Sequence, residues 1–212
     1  MKIRPKLLVF DCDGVLFDSR EANRAYYEDI CRTLGRPPLT EEELHYVHMH
    51  TAEESVRYLF RDFPEKLEKA LEYQRNLPYE KFLPYMRMEP GLREFLEWAR
   101  PRFRLAISTN RTTTMGRLLE IYGLEPYFDL VMTALKSPRP KPYPEALLVI
   151  LEHFGVPPEE ALYIGDSEVD LKLCRAVGVA LAAYKNPSLP ADFHLKSYEE
   201  LRDFLSNFSE ED

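Results

Sequence analysis

The sequence predicts a three-layer α/β fold, a parallel sheet with helices on both faces, interrupted after its first strand by an all-helical insert. Three observations carry this reading. Short apolar runs alternate with amphipathic segments along most of the chain. Those runs are apolar throughout rather than at alternate positions, as strands covered on both faces must be. The stretch from residue 18 to 88 shows no strand pattern and is too long for an ordinary connection.

The elements follow in chain order. "LLVF", Leu7 to Phe10, is the first strand. In the insert, "SREANRAYYEDICRTLG" reads as a helix from Ser19 to a stop at Gly35. "TEEE" at Thr40 and "TAEE" at Thr51 are capping-box starts. "PEKLEKALEYQRNLPYEKFLPY" carries an apolar stripe at Leu67, Ala70, Leu71 and Leu77. "RLAIS", Arg104 to Ser108, is the next strand, and Leu130 to Thr133 adds another. "ALYIG", Ala161 to Gly165, and "VALAAY", Val179 to Tyr184, complete the set. The helices between them are "TTTMGRLLEIYG", "YPEALLVILEHFG" and "SEVDLKLCRAVG", two opened by threonine or serine and all three closed by glycine. The expected division is an α/β core of residues 1–17 and 89–212 and a helical cap of residues 18–88. Only the acidic tail "SEED", residues 209–212, reads as loose.

Composition narrows the function. The chain has 212 residues, 45% hydrophobic and 30% charged, enough to bury a sizeable core. A net charge of -8 argues against a general nucleic-acid surface, although a site can be locally positive. Cys12, Cys31 and Cys174 are odd in number and lack metal-ligand spacing, so they read as free core thiols in a reducing compartment. The N-terminal apolar run is broken by Asp11, too early for a signal peptide or a membrane span. The expectation is a cytoplasmic protein with no membrane partner, monomer and homodimer fitting equally.

Ligands of parallel sheets bind at the carboxyl ends of the strands. Asp11 and Asp13 follow the first strand, Thr109 and Asn110 follow "RLAIS", and Asp166, Ser167 and Asp170 follow "ALYIG". Lys141 precedes a helix in "PRPKPYPE", with Lys136 as a rival. Two carboxylates about 4 Å apart repel by roughly 4 kcal/mol at an effective dielectric near 20. Converging Asp11, Asp13 and Asp166 therefore need protons or a cation, and hard oxygens suit Mg²⁺. Lys141 would offset further charge, while Thr109 and Asn110 offer neutral donors to an anion. Alternate residues of an extended segment point the same way, which would put Asp11 and Asp13 on one side and turn Cys12 inward. Gly14 then permits a sharp bend. Together these residues make the parts of a phosphoryl-transfer site.

In this order, "DCDGVLFDS", "STN", "KPYPE" and "GDSEVD" resemble the four motifs of the haloacid dehalogenase superfamily of phosphohydrolases. The insert resembles a C1-type cap, as in the subgroup of phosphoglycolate phosphatases and β-phosphoglucomutases. The resemblance implies that Asp11 is the nucleophile, forming an aspartyl-phosphate, and Asp13 the general acid and then base. It implies that Thr109, with Asn110 beside it, and Lys141 bind the phosphoryl group. It implies a Mg²⁺ site of Asp11, the Asp13 backbone carbonyl and Asp166, with Asp170 as orienter or supplementary ligand. Dehalogenase members generally lack the second aspartate, so Asp13 argues for phosphate chemistry. The implied activity is a Mg²⁺-dependent phosphatase of a small phosphorylated metabolite. The alternatives are a phosphomutase and, third, a non-catalytic binding protein. In "LHYVHMHT" the spacing of His45, His48 and His50 matches no familiar metal signature and reads as a helix end and loop. The resemblance aligns it with the part of the cap that faces substrate, which gives His48, His50 and Thr51 as leaving-group contacts.

Overall fold

Leu7–Phe10, four residues without a polar side chain, form strand β1, and all four are fully buried. In this computed structural model residues 4–207 are described, and the acidic tail lies outside the described residues. The short strand β2 (Phe17–Asp18) leads into α1 (Arg20–Thr33), α2 (Glu41–Met49), α3 (Ala52–Leu59) and α4 (Pro64–Asn76). A 3₁₀ segment, Tyr79–Tyr85, and β3 (Arg87–Met88) follow. The chain then alternates through α5 (Leu92–Ala99), β4 (Arg104–Ser108), α6 (Thr114–Tyr122) and β5 (Leu130–Met132). It continues through α7 (Glu145–Phe154), β6 (Ala161–Gly165), α8 (Glu168–Val177), β7 (Ala180–Tyr184), β8 (Phe193–Leu195) and α9 (Tyr198–Ser206). Two compact units result: Met1–Phe17 with Met88–Asp212, and Asp18–Arg87.

In the first unit the strands form one parallel sheet in the order β5-β4-β1-β6-β7-β8. β1 is central, with Leu8 opposite Leu105 on one side and Leu162 on the other. Its odd residues, Leu7 and Val9, pack with Leu147, Ile150 and Leu151 of α7 and Leu171 and Cys174 of α8. On the opposite face Phe10 meets Phe95 of α5 edge-on at 6.2 Å, and Phe95 meets Tyr198 of α9 at 5.2 Å. Both faces are covered, which is why the strands read as continuous apolar runs. The order reverses at β1: the chain runs outward through β4 and β5, then returns to β6 on the other side. Such a reversal opens a crevice at the carboxyl ends of β1, β4 and β6.

The second unit is helical and has its own core. α1 buries Ala22, Tyr26, Tyr27, Ile30 and Cys31, with Tyr26 edge-on to Tyr27 at 5.0 Å and to Phe82 at 5.4 Å. Both expected capping boxes form, at Thr40 with Glu43 and at Thr51 with Glu54. Glu43 is buried, and its second oxygen accepts from Arg36.

Several details differ from expectation. The helix expected across "PEKLEKALEYQRNLPYEKFLPY" stops at Asn76, and the rest is 3₁₀, because Pro78 and Pro84 deny the helix its backbone donors. Neither Ser19 nor Thr113 makes a side-chain capping bond. The sheet has a sixth strand, β8, too short to stand out as a pattern. Among the described residues no helix is long and apolar enough to cross a membrane.

Leu8 is fully buried on both sides of its backbone neighbours, so Leu8→Ala costs about 2–5 kcal/mol in urea unfolding. Thr40→Ala removes only a cap and costs about 1 kcal/mol by the same measurement.

Candidate active site

The sheet ladder carries one residue beyond β1, where the Asp11 N–H donates to Ile164 O at 2.9 Å. The chain then turns. The Cys12 carbonyl accepts from the N–H groups of Leu16 and Phe17 at 2.9 and 3.0 Å, and the Cys12 side chain is buried. Cys12 turns inward as expected, and the Asp13 charge lies near enough to add to the upward pull of burial on the Asp11 pKa. Asp11 stays buried, whereas the Asp13 side chain is 40% exposed and turned to Arg111. Arg111 Nε and Nη2 donate to its two carboxylate oxygens at 2.8 and 2.7 Å.

Gly14 explains the tightness of this turn twice over. Its φ of +77° suits glycine, and a Cβ there would lie 2.0 Å from Asp166 Oδ2. The Asp166 carboxylate thus rests directly on the Gly14 backbone. Asp166 is held from behind as well, since Asn186, just past β7, donates to its carbonyl at 2.7 Å.

Lys141 is the centre of the site. Its Nζ lies 2.8 Å from Asp11 Oδ1, 2.8 Å from Asp170 Oδ1 and 3.1 Å from Tyr163 Oη. Asn110 clasps its backbone: the Lys141 N–H donates to Asn110 Oδ1 at 2.8 Å, and Asn110 Nδ2 donates to the Lys141 carbonyl at 3.0 Å. Lys136, the rival, lies on the surface and donates to the Val131 carbonyl. Asp170 is fully buried. Its Oδ1 faces Lys141, and its Oδ2 accepts from Ser167 Oγ at 2.7 Å in the capping box that starts α8. Thr109 is buried, and its Oγ1 accepts from the Arg111 N–H at 3.1 Å.

Charge is unevenly shared here. Burial works against the Lys141 ammonium, but Asp11 and Asp170 more than offset it and hold its pKa well above the ordinary value. Burial likewise opposes the Asp170 charge, yet Lys141 and Ser167 hold Asp170 below the usual carboxylate value. The deficit falls on the others. Burial pushes Asp11 up to about 8 despite Lys141, and burial with Asp170 nearby pushes Asp166 up to about 7. Carboxylate oxygens of Asp11, Asp166 and Asp170 all lie within 4.8 Å of one another. Three carboxylates against one ammonium leave a formal surplus of two negative charges. That surplus and a donor set of hard oxygens fit a divalent cation. The Asp13 carboxylate is not in this cluster.

In the helical unit, His48 Nδ1 lies 3.1 Å from Asn23 Nδ2. His50 stacks on Tyr46 at 3.8 Å, Tyr46 stacks on Tyr58 at 3.7 Å, and Arg61 lies over Tyr58. Thr51 caps α3. Each of these side chains thus has a local structural partner. Sequence reasoning missed Arg111, Tyr163 and Asn186. Arg111 directly follows the quoted "STN", and Asn186 stands at a strand end, so the rule that found the other residues also reaches them.

A doubly wound sheet with an acidic, lysine-braced centre at its switch point defines an α/β enzyme of the Rossmann-like class. The profile described as "Haloacid dehalogenase-like hydrolase" matches residues 8–184. The phosphoglycolate phosphatase of Pseudomonas putida is 30% identical over 184 residues, which cover 82% of this chain and 67% of that one. A phosphorylated carbohydrates phosphatase of Thermotoga maritima is 28% identical over 178 residues, 81% of each chain. Among solved structures, a HAD-superfamily hydrolase of subfamily IA from Geobacter sulfurreducens is 42% identical with a TM-score of 0.88, covering 96% of this chain and 97% of that one. The chain belongs to the haloacid dehalogenase-like hydrolase family.

Two outcomes follow from the charge balance. Lys141→Met strands Asp170 in the interior without its counter-charge and lowers unfolding free energy by about 3–5 kcal/mol, read by chemical denaturation. Asp11 and Asp166 bind protons more tightly when folded than at the ordinary 3.8. Their contribution to stability is complete below about pH 4 and is lost as the pH rises through about 7 and about 8. Asp170 has the opposite sign and acts only at the acid end. The Tm of metal-free protein therefore falls from about pH 5 to about pH 9, and added Mg²⁺ raises it more at the higher pH.

Proposed function

We propose that this hydrolase is a Mg²⁺-dependent phosphatase acting on a small phosphorylated metabolite, in the manner of phosphoglycolate phosphatases. The observation that carries the reading is the buried Lys141 bridging Asp11 and Asp170 beside Asp166, at the end of the central strand. The names of the relatives support it: two are phosphatases of small phosphorylated molecules.

Asp11 is the nucleophile. A carboxylate oxygen attacks phosphorus in line, the bond from phosphorus to the ester oxygen breaks, and an aspartyl-phosphate forms. Asp13 gives its proton to the leaving oxygen. It then takes a proton from the water that attacks the aspartyl-phosphate, releasing inorganic phosphate and restoring Asp11. Lys141 holds Asp11 in place and neutralises charge on the transferring group. Thr109 Oγ1 accepts from the Arg111 N–H, so its own hydroxyl proton is left for a phosphoryl oxygen. Asn110 acts through Lys141, whose backbone it fixes from both sides. Mg²⁺, held by Asp11, Asp166 and the Asp13 carbonyl, would supply charge neutralisation and a Lewis-acid contact to the phosphoryl group. Asp170 orients the site through Lys141 and the start of α8. The three cysteines are free and buried, which suits the cytoplasm.

Steady-state assays with an aryl phosphate and Mg²⁺ test the reading. Asp11→Asn eliminates turnover, and Asp13→Asn lowers kcat by about 10²–10⁴-fold on alkyl esters, whose leaving oxygen needs a proton. Near wild-type turnover by Asp11→Asn would sink the mechanism. With β-glucose 1-phosphate and a bisphosphate primer the product is inorganic phosphate; glucose 6-phosphate would mean a mutase instead.

A further inference from the structure

We propose that Glu89 and Lys185 are positioning residues for Mg²⁺: together they hold a left-handed turn after β7 that fixes Asp166 against the turn after β1. The inference rests on the Mg²⁺-dependent reading and adds to it two residues outside the acidic cluster.

Lys185 stands out by its backbone. Among the described residues it is the only non-glycine residue with a positive φ, at +53°. That region is unfavourable for a side chain with a Cβ, and such residues persist where their surroundings hold them. Here the holding is visible. The Lys185 N–H donates to Leu195 O of β8 at 2.7 Å, and its Nζ pairs with the Glu89 carboxylate. Glu89 is buried and also accepts from Tyr184 Oη at 3.2 Å. A buried carboxylate demands a counter-charge, so Glu89 draws the Lys185 side chain inward and the backbone turns with it.

The turn delivers the next residue. Asn186 Nδ2 donates to the Asp166 carbonyl at 2.7 Å, while Asn186 Oδ1 accepts from Ser188 Oγ at 2.8 Å. The Asp166 N–H donates to Asp170 Oδ2 at 3.3 Å, so the Asp166 backbone is held on both sides. Glu89 reaches the other part of the site as well. Its N–H donates to Leu16 O at 3.0 Å, and the Leu16 N–H donates to the Cys12 carbonyl at 2.9 Å. One series of bonds thus runs from the turn at Cys12 through Glu89, Lys185 and Asn186 to Asp166, whose carboxylate closes the ring on Gly14. This ring sets the spacing between the two segments that carry Asp11 and Asp166. Mg²⁺ demands near-ideal octahedral geometry, whereas Ca²⁺ accepts longer and more flexible arrangements. A loosened ring therefore weakens Mg²⁺ binding more than Ca²⁺ binding.

The test titrates metal-free protein with Mg²⁺ and with Ca²⁺ by calorimetry. The Tm of each variant without metal is recorded alongside, so that lost stability is told apart from lost affinity. Glu89→Gln removes the counter-charge and lowers Mg²⁺ affinity about 10- to 100-fold, with a smaller loss for Ca²⁺. Lys185→Val, whose branched side chain disfavours the left-handed region, acts in the same direction. Glycine takes that region freely, so adding Lys185→Gly to Glu89→Gln restores Mg²⁺ affinity to within about threefold of wild type. Unchanged Mg²⁺ affinity in Glu89→Gln, an equal loss for both cations, or a double variant as weak as Glu89→Gln overturns the inference and leaves the phosphatase reading standing. Absence of Mg²⁺ binding by wild type overturns the Mg²⁺-dependent reading, and the inference with it. Should Glu89→Gln fail to fold, Lys185→Val against Lys185→Gly reads the same difference.

Discussion

One ammonium group organises this protein's chemistry. Lys141 Nζ touches carboxylates from two separate strand-end segments, Asp11 after β1 and Asp170 in α8, and the hydroxyl of Tyr163 inside β6. A buried charge is tolerated only when its partners are placed to satisfy it. Everything around Lys141 follows from that demand. Asn110 fixes its backbone, the α8 capping box fixes Asp170, and the sheet ladder fixes Asp11. Because one lysine serves three acids, the surplus negative charge is a built-in property of the folded state rather than an accident of the surface.

The same balance separates the two aspartates of "DCD". Two residues apart in sequence, they have different basic partners. Asp11 is buried against Lys141, while Asp13 is half open to solvent and gripped by Arg111. Two carboxylates set to different tasks by their neighbours is how a single site can run nucleophilic and proton-transfer steps without one group doing both. The turn that parts them, tightened by Gly14, also seats Asp166. The turn and the seat of one distant carboxylate thus meet in four consecutive residues.

Much of this was legible in the sequence, for physical reasons. Strands buried on both faces must be apolar throughout, so β1, β4, β6 and β7 announced themselves. Polar residues that interrupt such runs at their carboxyl ends are few, and Asp11, Thr109 and Asp166 were among them. Capping boxes are local, so Thr40 and Thr51 could be read directly. What escaped was set by long-range contacts. Nothing near Arg111 tells that its partner lies at the end of another strand, 98 residues away in sequence. The turn at Cys12 depends on hydrogen bonds from residues 16 and 17, which no short-range pattern discloses. β8 is three residues long, below the length at which a pattern can be distinguished from chance. In the helical unit His50 stacks on Tyr46 and His48 meets Asn23, the second a contact between residues 25 apart that no local pattern discloses.

The clasp between Asn110 and the Lys141 backbone has a consequence for how this surface can change. The loop that delivers the lysine runs from Ala134 to Pro140, largely exposed and with Leu135 standing 66% open. Its position is not determined by that loop, because Asn110 grips the chain at the lysine itself. The segment upstream is held by bonds of its own, from the Ala134 N–H to the Arg111 carbonyl and from Lys136 to the Val131 carbonyl, and it leads to a fixed anchor. Exposed positions such as Leu135 can change or accept a label while the ammonium stays where it is. Evolution and protein engineers alike can therefore work on this rim without reopening the electrostatics of the centre.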